Sequence, residues 1–223
     1  MKRRGFTVGR KVSDDNPFWI SYSDLMTTMV ILFMLMVASS LLEIHEKQEQ
    51  REIVRRQIVD ELVNRLGQKY PVSIDVQTGA ITISDGILFG FNETTLTDQG
   101  KEFLKGFVPE YTDILLGNER AREHVAQIIV EGHADNVGSY EVNLEKSLGR
   151  AYTVSTYIFN HNEFPDFPDR EALKVILTAN GRSNMDPKET AELSRRVEFK
   201  FRLKDWDLLN TNLGKELLGA VKS

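Results

Sequence analysis

One segment constrains the fold of this chain more than any other: residues 25–42, eighteen positions without a charged side chain. Extended back to Phe18, the apolar segment has 25 residues and a single carboxylate, Asp24. A helix of that length spans about 37 Å, more than the roughly 30 Å of a bilayer's hydrocarbon core. The segment therefore predicts a transmembrane helix, which we assign to residues 17–42.

The charges on either side of this segment predict its orientation. Residues 1–16 form a basic arm with a net charge of +3, whereas residues 43–223 carry a net charge of −7. Basic residues favour the cytoplasmic side, so we expect a cytoplasmic N-terminus and a single crossing. The acidic excess argues against a nucleic-acid-binding protein held by a basic surface. The lack of cysteine excludes disulfide scaffolds, thiol nucleophiles and cysteine-ligated metals.

A cleaved signal peptide is the alternative interpretation of the N-terminal segment. The uncharged run is longer than the roughly 7–15 apolar residues of a signal peptide, and an acidic residue inside it is unusual. The sequence therefore favours an uncleaved anchor. Cleavage near Ser39 would instead give a secreted wall-binding protein.

Asp24 is the residue of this segment that requires an explanation. An ionised carboxylate facing lipid is costly, and such residues usually face a protein interior or a water path. Ser21, Thr27 and Thr28 lie three or four positions away and share its helical face. The sequence thus predicts a polar stripe that faces partner helices. The alternative is that Asp24 lies in the interfacial layer of the membrane.

Two flanking segments have the spacing of amphipathic helices. Residues 43–69 are predicted to form a juxtamembrane linker helix, since apolar positions recur at helical spacing and Gly67 can end the helix. Its narrow apolar stripe suits pairing with a second copy or a partner, and a solvated spacer is equally compatible. Residues 205–223 have the leucine spacing of a C-terminal helix.

Residues 70–204 alternate between predicted strands and predicted helices. An alternating apolar segment around Gly79 predicts a hairpin. Helices are predicted from Thr97 to about Leu116 and over residues 140–159. Strands are predicted at residues 127–131, 174–178 and 197–203. This order predicts an α/β domain with a mixed sheet packed against helices on one face.

Polar residues follow the strand predicted at residues 127–131. His133 and Asp135 lie at its C-terminal end, and Arg150 comes fifteen residues after Asp135 on the next helix. An aspartate and an arginine can hold one zwitterionic ligand, the carboxylate accepting from an ammonium and the guanidinium binding a carboxylate. An internal salt bridge between Asp135 and Arg150 is the alternative.

The sequence predicts no enzymatic chemistry. His133 has no second His or Cys at ligand spacing, which favours a hydrogen-bonded structural histidine. The chain contains no nucleophile–histidine–acid set, phosphate-binding loop or dinucleotide-binding glycine pattern. We therefore predict that the protein is not an enzyme and has neither a cofactor nor a metal.

Several motifs in residues 70–204 occur in an order that resembles the OmpA-like peptidoglycan-binding domain. They are ILFGFNETTLTDQG, IIVEGHADNVGSYEVN, SLGRA and SRRVEFKF. The resemblance implies that Asp135 and Arg150 hold the diaminopimelate of a peptidoglycan stem peptide. Asn143 is assigned to the same binding site, and Arg196 matches a recurrent family position that is either structural or at the edge of the site.

The chain departs from the OmpA-like pattern at two positions near these residues. Ala134 stands where the family often has Thr, and Lys146 stands where it usually has Leu. We expect these differences to alter the surroundings of the site and to leave binding intact.

The membrane segment resembles the single helix of MotB-type stator subunits. The motif is NPFWISYSDLMTTMVILFMLMV, in which Asp24 matches the position that carries the translocated proton. The resemblance implies a homodimer inside a five-subunit ring of a MotA/ZorA-like membrane protein. It also implies an inner-membrane location and a periplasmic wall-binding domain.

Among these families, the WISYSDLMTT motif and the compact linker resemble ZorB of the Zorya anti-phage defence system more than flagellar MotB. A flagellar stator remains the alternative, and a passive membrane-to-wall tether is a further one.

Overall fold

A computed structural model describes residues 17–204 of the chain. They fall into two units, one ending at Gln48 and one beginning at Glu49. The predictions of a basic arm at residues 1–16 and a C-terminal helix at residues 205–223 lie outside the described residues.

The first unit consists, in its described part, of the N-terminal portion of helix α1, Pro17–Arg65. Large apolar side chains there are exposed, with 60% of the surface of Leu25 and 65% of that of Phe33 accessible. Within the described residues, this is the one helix whose length and composition suit a membrane crossing. Apolar side chains with no protein around them suit a lipid environment.

The second unit is built on a five-stranded sheet with the order β1-β2-β5-β3-β4. Neighbouring strands are antiparallel except β3 and β4, which are parallel. The predicted α/β class with a mixed sheet is therefore confirmed. The strands are β1 Ser73–Ile74, β2 Ile81–Ser84, β3 Val125–His133, β4 Leu177–Gly181 and β5 Arg196–Leu203.

Helices of the second unit cover the sheet and connect its strands. The longest after α1 begin at side-chain caps: the Thr97 hydroxyl accepts from Gly100 N, and the Ser139 hydroxyl accepts from Val142 N. The helices are α2 Asp85–Leu88, α3 Asp98–Thr112, α4 Glu119–His124, α5 Tyr140–Ile158, α6 Arg170–Ile176 and α7 Ala191–Ser194, with a π-helical turn at Asp113–Gly117.

The two faces of the sheet differ in character because strand residues alternate. Phe199 lies in the core and stacks edge-on against Phe107 and Tyr111 of α3. Glu198 points to the other face, where it meets His133 of β3. The core therefore lies between the sheet and the helices, and charged residues line the opposite face.

The apolar stripe of the predicted linker packs within its own domain. Leu62 of α1 and Leu66, the residue after its end, are fully buried in the core of the second unit. Neither pairing with a second copy nor a solvated spacer describes these positions. The helical spacing was informative, but spacing alone does not identify the surface that an apolar stripe contacts.

The strand predicted at residues 174–178 is wrong in its boundaries. Helix α6 extends through Ile176, and strand β4 begins only at Leu177. Leu173 is buried on α6 while Val175 is 85% exposed. A short apolar run fits a helix and a strand equally well, so its periodicity could not locate the boundary.

Close packing at Gly132 sets the position of α5 relative to β3. A Cβ at this position would collide with the carbonyl oxygen of Ser147 on α5. Glycine thus lets the helix approach the strand. This approach brings the loop after β3 beside the middle of α5, where Arg150 lies.

Candidate functional site

Asp24 lies in the exposed apolar portion of α1. Two of the three polar residues predicted beside it use their hydroxyls within the helix. Thr28 Oγ1 donates to the carbonyl of Asp24 at 2.8 Å, and Thr27 Oγ1 donates to that of Ser23 at 2.8 Å. Ser21 lies one turn earlier on the same helix and is exposed. The threonine hydroxyls therefore retain only acceptor capacity toward the Asp24 carboxyl group.

A cleft of about 480 Å³ in the second unit contains most of the residues predicted to bind the wall. Asp135, Asn143 and Arg150 all line it. Other lining residues are Phe91, Asn92, Ala134, Val137, Gly138, Val142, Lys146, Ala191 and Arg195. The structure thus brings the loop after β3, helix α5 and the region around α7 to one opening.

Asp135 is fixed at this opening by two contacts. Its Oδ1 accepts from the backbone N of Val137 at 3.0 Å, and its Oδ2 accepts from Nη1 of Arg195 at 2.7 Å. Burial raises the pKa of the Asp135 carboxyl, but the hydrogen bonds from Arg195 and Val137 and the positive charges of Arg195 and Arg150 together outweigh it, so the pKa is lowered. The carboxylate is therefore ionised at neutral pH and able to accept from an ammonium.

Arg150 is almost fully buried and held on several sides. Its Nε donates to the carbonyl of Glu93 at 3.1 Å and its Nη1 to that of His133 at 3.5 Å. Its Nη2 lies 3.0 Å from Oδ2 of Asp85. Because a guanidinium has five N–H donors, two remain for a ligand.

The structure does not contain the salt bridge between Asp135 and Arg150 that was the alternative interpretation of this pair. Each has another partner, Arg195 for Asp135 and Asp85 for Arg150. Both still face one cleft, which is the arrangement that a zwitterionic ligand requires. Burial raises the pKa of Asp85, although Arg150 opposes this shift.

Asn143 holds the loop that carries Asp135. It is buried, and its Nδ2 donates to the carbonyl of Asp135 at 3.1 Å. The loop turns at Gly138, whose φ of +102° suits glycine. Asn143 therefore shapes the cleft from within α5, and its side-chain amide is not free to bind a ligand through that donor.

Arg196 does not line the cleft. It is buried on the charged face of the sheet, where Nε donates to Glu198 at 2.5 Å and Nη2 pairs with Asp186. Its Nη1 also donates to the carbonyl of Ser194. The structure thus places it in a network behind the cleft.

His133 is the centre of that network. Its Nε2 lies 3.2 Å from Glu131 and 3.4 Å from Glu198. Lys200 forms ion pairs with both carboxylates, at 2.5 Å from Glu131 and 2.7 Å from Glu198. Burial lowers the pKa of His133, but the two glutamates outweigh it and the pKa is raised. Glu131, His133 and Glu198 have the donor types of a metal site. Lys200 and Arg196 already neutralise their carboxylates, so the cluster suits a proton better than a divalent cation.

Arg195 and Asp85 are two site residues that the sequence analysis missed. The motif SRRVEF contained a signal for Arg195. Consecutive residues at a strand point to opposite faces, so only one of its two arginines could enter the charged network. Arg196 does so, and Arg195 lines the cleft. No comparable signal marked Asp85, which precedes an ordinary apolar run.

Comparison with known proteins gives matches along most of the chain. Residues 7–57 match the family described as membrane MotB of the proton-channel complex MotA/MotB. The Zorya protein ZorB of Escherichia coli O139:H28 (strain E24377A / ETEC) is 31% identical over 217 residues, which cover 90% of this chain and 88% of that protein. The Zorya protein ZorB of Escherichia coli strain ATCC 8739 (Crooks) is 28% identical over 215 residues, covering 85% and 89%.

One solved structure similar to this chain is the crystal structure of a putative MotB-like protein from Desulfovibrio vulgaris. The two are 20% identical, the match covers 72% of this chain and 95% of that one, and the TM-score is 0.46.

Proposed function

The chain belongs to the ZorB family of Zorya proteins, and on that basis we propose that it is the wall-anchored subunit of a proton-driven rotary motor that acts in anti-phage defence. It is a stator-type subunit of a motor complex, located in the inner membrane with a periplasmic C-terminal domain.

In this proposal residues 17–42 cross the membrane and residues 1–16 remain in the cytoplasm. The basic arm favours the cytoplasmic side, and the acidic remainder of the chain is exported. Residues 43–69 connect the membrane helix to the wall-binding domain at residues 70–204, with a C-terminal helix at residues 205–223.

Asp24 carries the proton in this mechanism, and one observation supports this assignment most. It is the only charged residue of the apolar segment, and an ionised carboxylate in lipid is costly unless a partner or water receives it. Thr27 and Thr28 donate their hydroxyl hydrogens within the helix. Their oxygen atoms can therefore only accept a hydrogen bond, which a protonated Asp24 carboxyl group can donate. Protonation would let the helix face lipid, and deprotonation would require a polar partner.

Proton movement past Asp24 would supply the energy for rotation. One elementary charge crossing the full potential releases about 2.3 kcal/mol per 100 mV. In the proposed assembly two copies of this chain stand inside a ring of five MotA/ZorA-like subunits. The two Asp24 carboxylates would alternate between protonation states as the ring turns around them.

Asp135 and Arg150 would hold the assembly still by binding the diaminopimelate of a peptidoglycan stem peptide. The cleft presents an ionised carboxylate and a guanidinium to one ligand, which matches the ammonium and carboxylate of a zwitterionic amino-acid centre. Asn143 shapes this cleft, and Arg196 supports it from the charged network behind.

Phage plating on cells that carry the protein with its neighbouring genes tests the proposed function. Asp24→Asn should remove protection while the protein still accumulates in the membrane and copurifies with a multi-span partner. Ser23→Ala is the matched control and should protect fully. Full protection by the Asn variant would reject the ion-carrier assignment and favour a passive tether. A loss of swimming in place of phage protection would favour a flagellar stator.

A further inference from the structure

The proposed wall-binding cleft contains a third cation, which makes no ion pair with any residue that the structure describes. Lys146 lies on α5 one helical turn before Arg150 and lines the same cleft. We propose that Lys146, together with Asn92, binds a second carboxylate of the stem peptide and so selects stems with free carboxylates. This inference rests on the proposed function, since it assigns a further subsite to the same cleft.

The charge balance of the cleft favours an anionic group beside Lys146. Asp135 pairs with Arg195, and Arg150 pairs with Asp85, so these four charges cancel. Lys146 donates a hydrogen bond to Asn92 and makes no ion pair with any residue in the described range 17–204. Without a ligand the cleft therefore holds one uncompensated positive charge, and a ligand of matching negative charge is favoured.

The position of Lys146 beside Asn92 provides hydrogen-bond donors for that anionic group. Its Nζ donates to Oδ1 of Asn92 at 2.6 Å, which holds the ammonium at the cleft. Asn92 itself is fixed in the left-handed region with a φ of 63°. Two N–H donors of Lys146 and the amide donors of Asn92 remain. This cluster of donors suits a carboxylate.

The proposed ligand has a second carboxyl group at a suitable distance from its zwitterionic end. A diaminopimelate residue has one zwitterionic end and, separated from it by three methylene groups, a second carbon that bears a carboxyl group. Residues four apart on a helix face lie about 5–6 Å from each other, a comparable length. A ligand whose zwitterionic end meets Asp135 and Arg150 can thus bring another carboxylate toward Lys146.

Calorimetry with the purified full-length protein in detergent tests this subsite. The probes are the tripeptide L-Ala-γ-D-Glu-meso-diaminopimelate and the same peptide with both carboxylates outside the zwitterionic end converted to amides. The native protein should bind the free acid about threefold to fivefold more tightly, the range of a partly exposed ion pair. K146M should bind both peptides alike, and K146R, which keeps the charge, should retain the preference.

Two outcomes would overturn the inference while leaving the proposed function standing. One is equal affinity of the native protein for the two peptides, and the other is a full preference for the free acid in K146M. A native protein that binds neither peptide would overturn both the subsite and the proposed wall ligand. Asp135→Asn is the reference variant for loss of the wall ligand. It removes the ammonium-binding charge and should weaken the binding of both peptides equally.

Discussion

Asp135 and Arg150 face the same cleft, but the domain depends on them to different degrees. The Asp135 side chain is partly exposed and pairs with Arg195 at the opening. Arg150 is buried against Asp85, and removal of one partner from a buried pair leaves an uncompensated charge. The two residues should therefore be separable by experiment.

Asp135→Asn should lose peptidoglycan binding with little change in the free energy of unfolding. Arg150→Met should also lose binding and in addition lower that free energy by about 3–5 kcal/mol. Pull-down with purified peptidoglycan measures the first effect, and urea unfolding followed by circular dichroism measures the second. Unchanged pull-down by both variants would reject the site.

His133 gives the domain a dependence on pH whose sign follows from its surroundings. Glu131 and Glu198 face it from β3 and β5, with Lys200 and Arg196 beside them and Asp186 in the segment between β4 and α7. The pKa of His133 is raised. Its contribution to stability is fully present below about pH 6.5, its ordinary pKa, and is lost as pH rises through the raised value.

Urea midpoints measured from pH 5.5 to 8.5 should therefore fall with rising pH in the native protein. His133→Gln should flatten this dependence, because glutamine does not titrate. Glu131, whose pKa is lowered to about 2, contributes stability above about pH 4.3 that is lost only as pH falls toward 2, so it does not affect this window. An equal slope in the variant would show that another group titrates.

At the scale of single residues, the sequence predicted which residues lie together better than it predicted their ion partners. The zwitterion-binding hypothesis named Asp135 and Arg150, which do share a cleft. Their actual ion partners, Arg195 and Asp85, lie 60 and 65 positions away along the chain, and local spacing carries no information about contacts at such separations.

At the scale of elements, the contact between β3 and α5 positions the cleft. Gly132 allows the backbone of α5 to approach the strand. Ser147, on the facing surface of α5, also accepts at its Oγ from the backbone N of Ser183 at 3.0 Å. A side chain at Gly132 would push the helix, and with it Arg150, away from Asp135.

Gly132→Ala should lower the free energy of unfolding by about 1–3 kcal/mol, the usual cost of overpacking, and weaken peptidoglycan binding. Gly86→Ala is the matched control, since a Cβ there would meet nothing within 4 Å. Thermal unfolding and pull-down of both variants give the comparison. A Gly132 variant that behaves like the Gly86 variant would contradict the close-packing account.

Secondary structure was predictable where local signals agreed and ambiguous where one signal stood alone. The caps at Thr97 and Ser139 begin helices because side-chain oxygens accept from orphan backbone N–H groups. At residues 174–178 an apolar run had no such signal, and the boundary between α6 and β4 was misplaced. The stripe containing Leu62 had correct spacing, but its burial in the second unit depended on tertiary packing.

At the scale of the whole molecule, one chain combines an apolar segment carrying a single acid with a domain whose cleft is lined by both an aspartate and an arginine. A passive tether needs only the anchor and the cleft, and it has no use for Asp24. A motor needs the acid as well. The central claim is therefore that Asp24 is the site through which protons pass.

Proton uptake by vesicles that contain this protein and its ring-forming partner tests that claim most directly. Under an imposed potential, vesicles with the native complex should acidify, those with Asp24→Glu should retain measurable uptake, and those with Asp24→Asn should show none above the level of empty vesicles. Uptake by the Asn variant at the native rate would contradict the account.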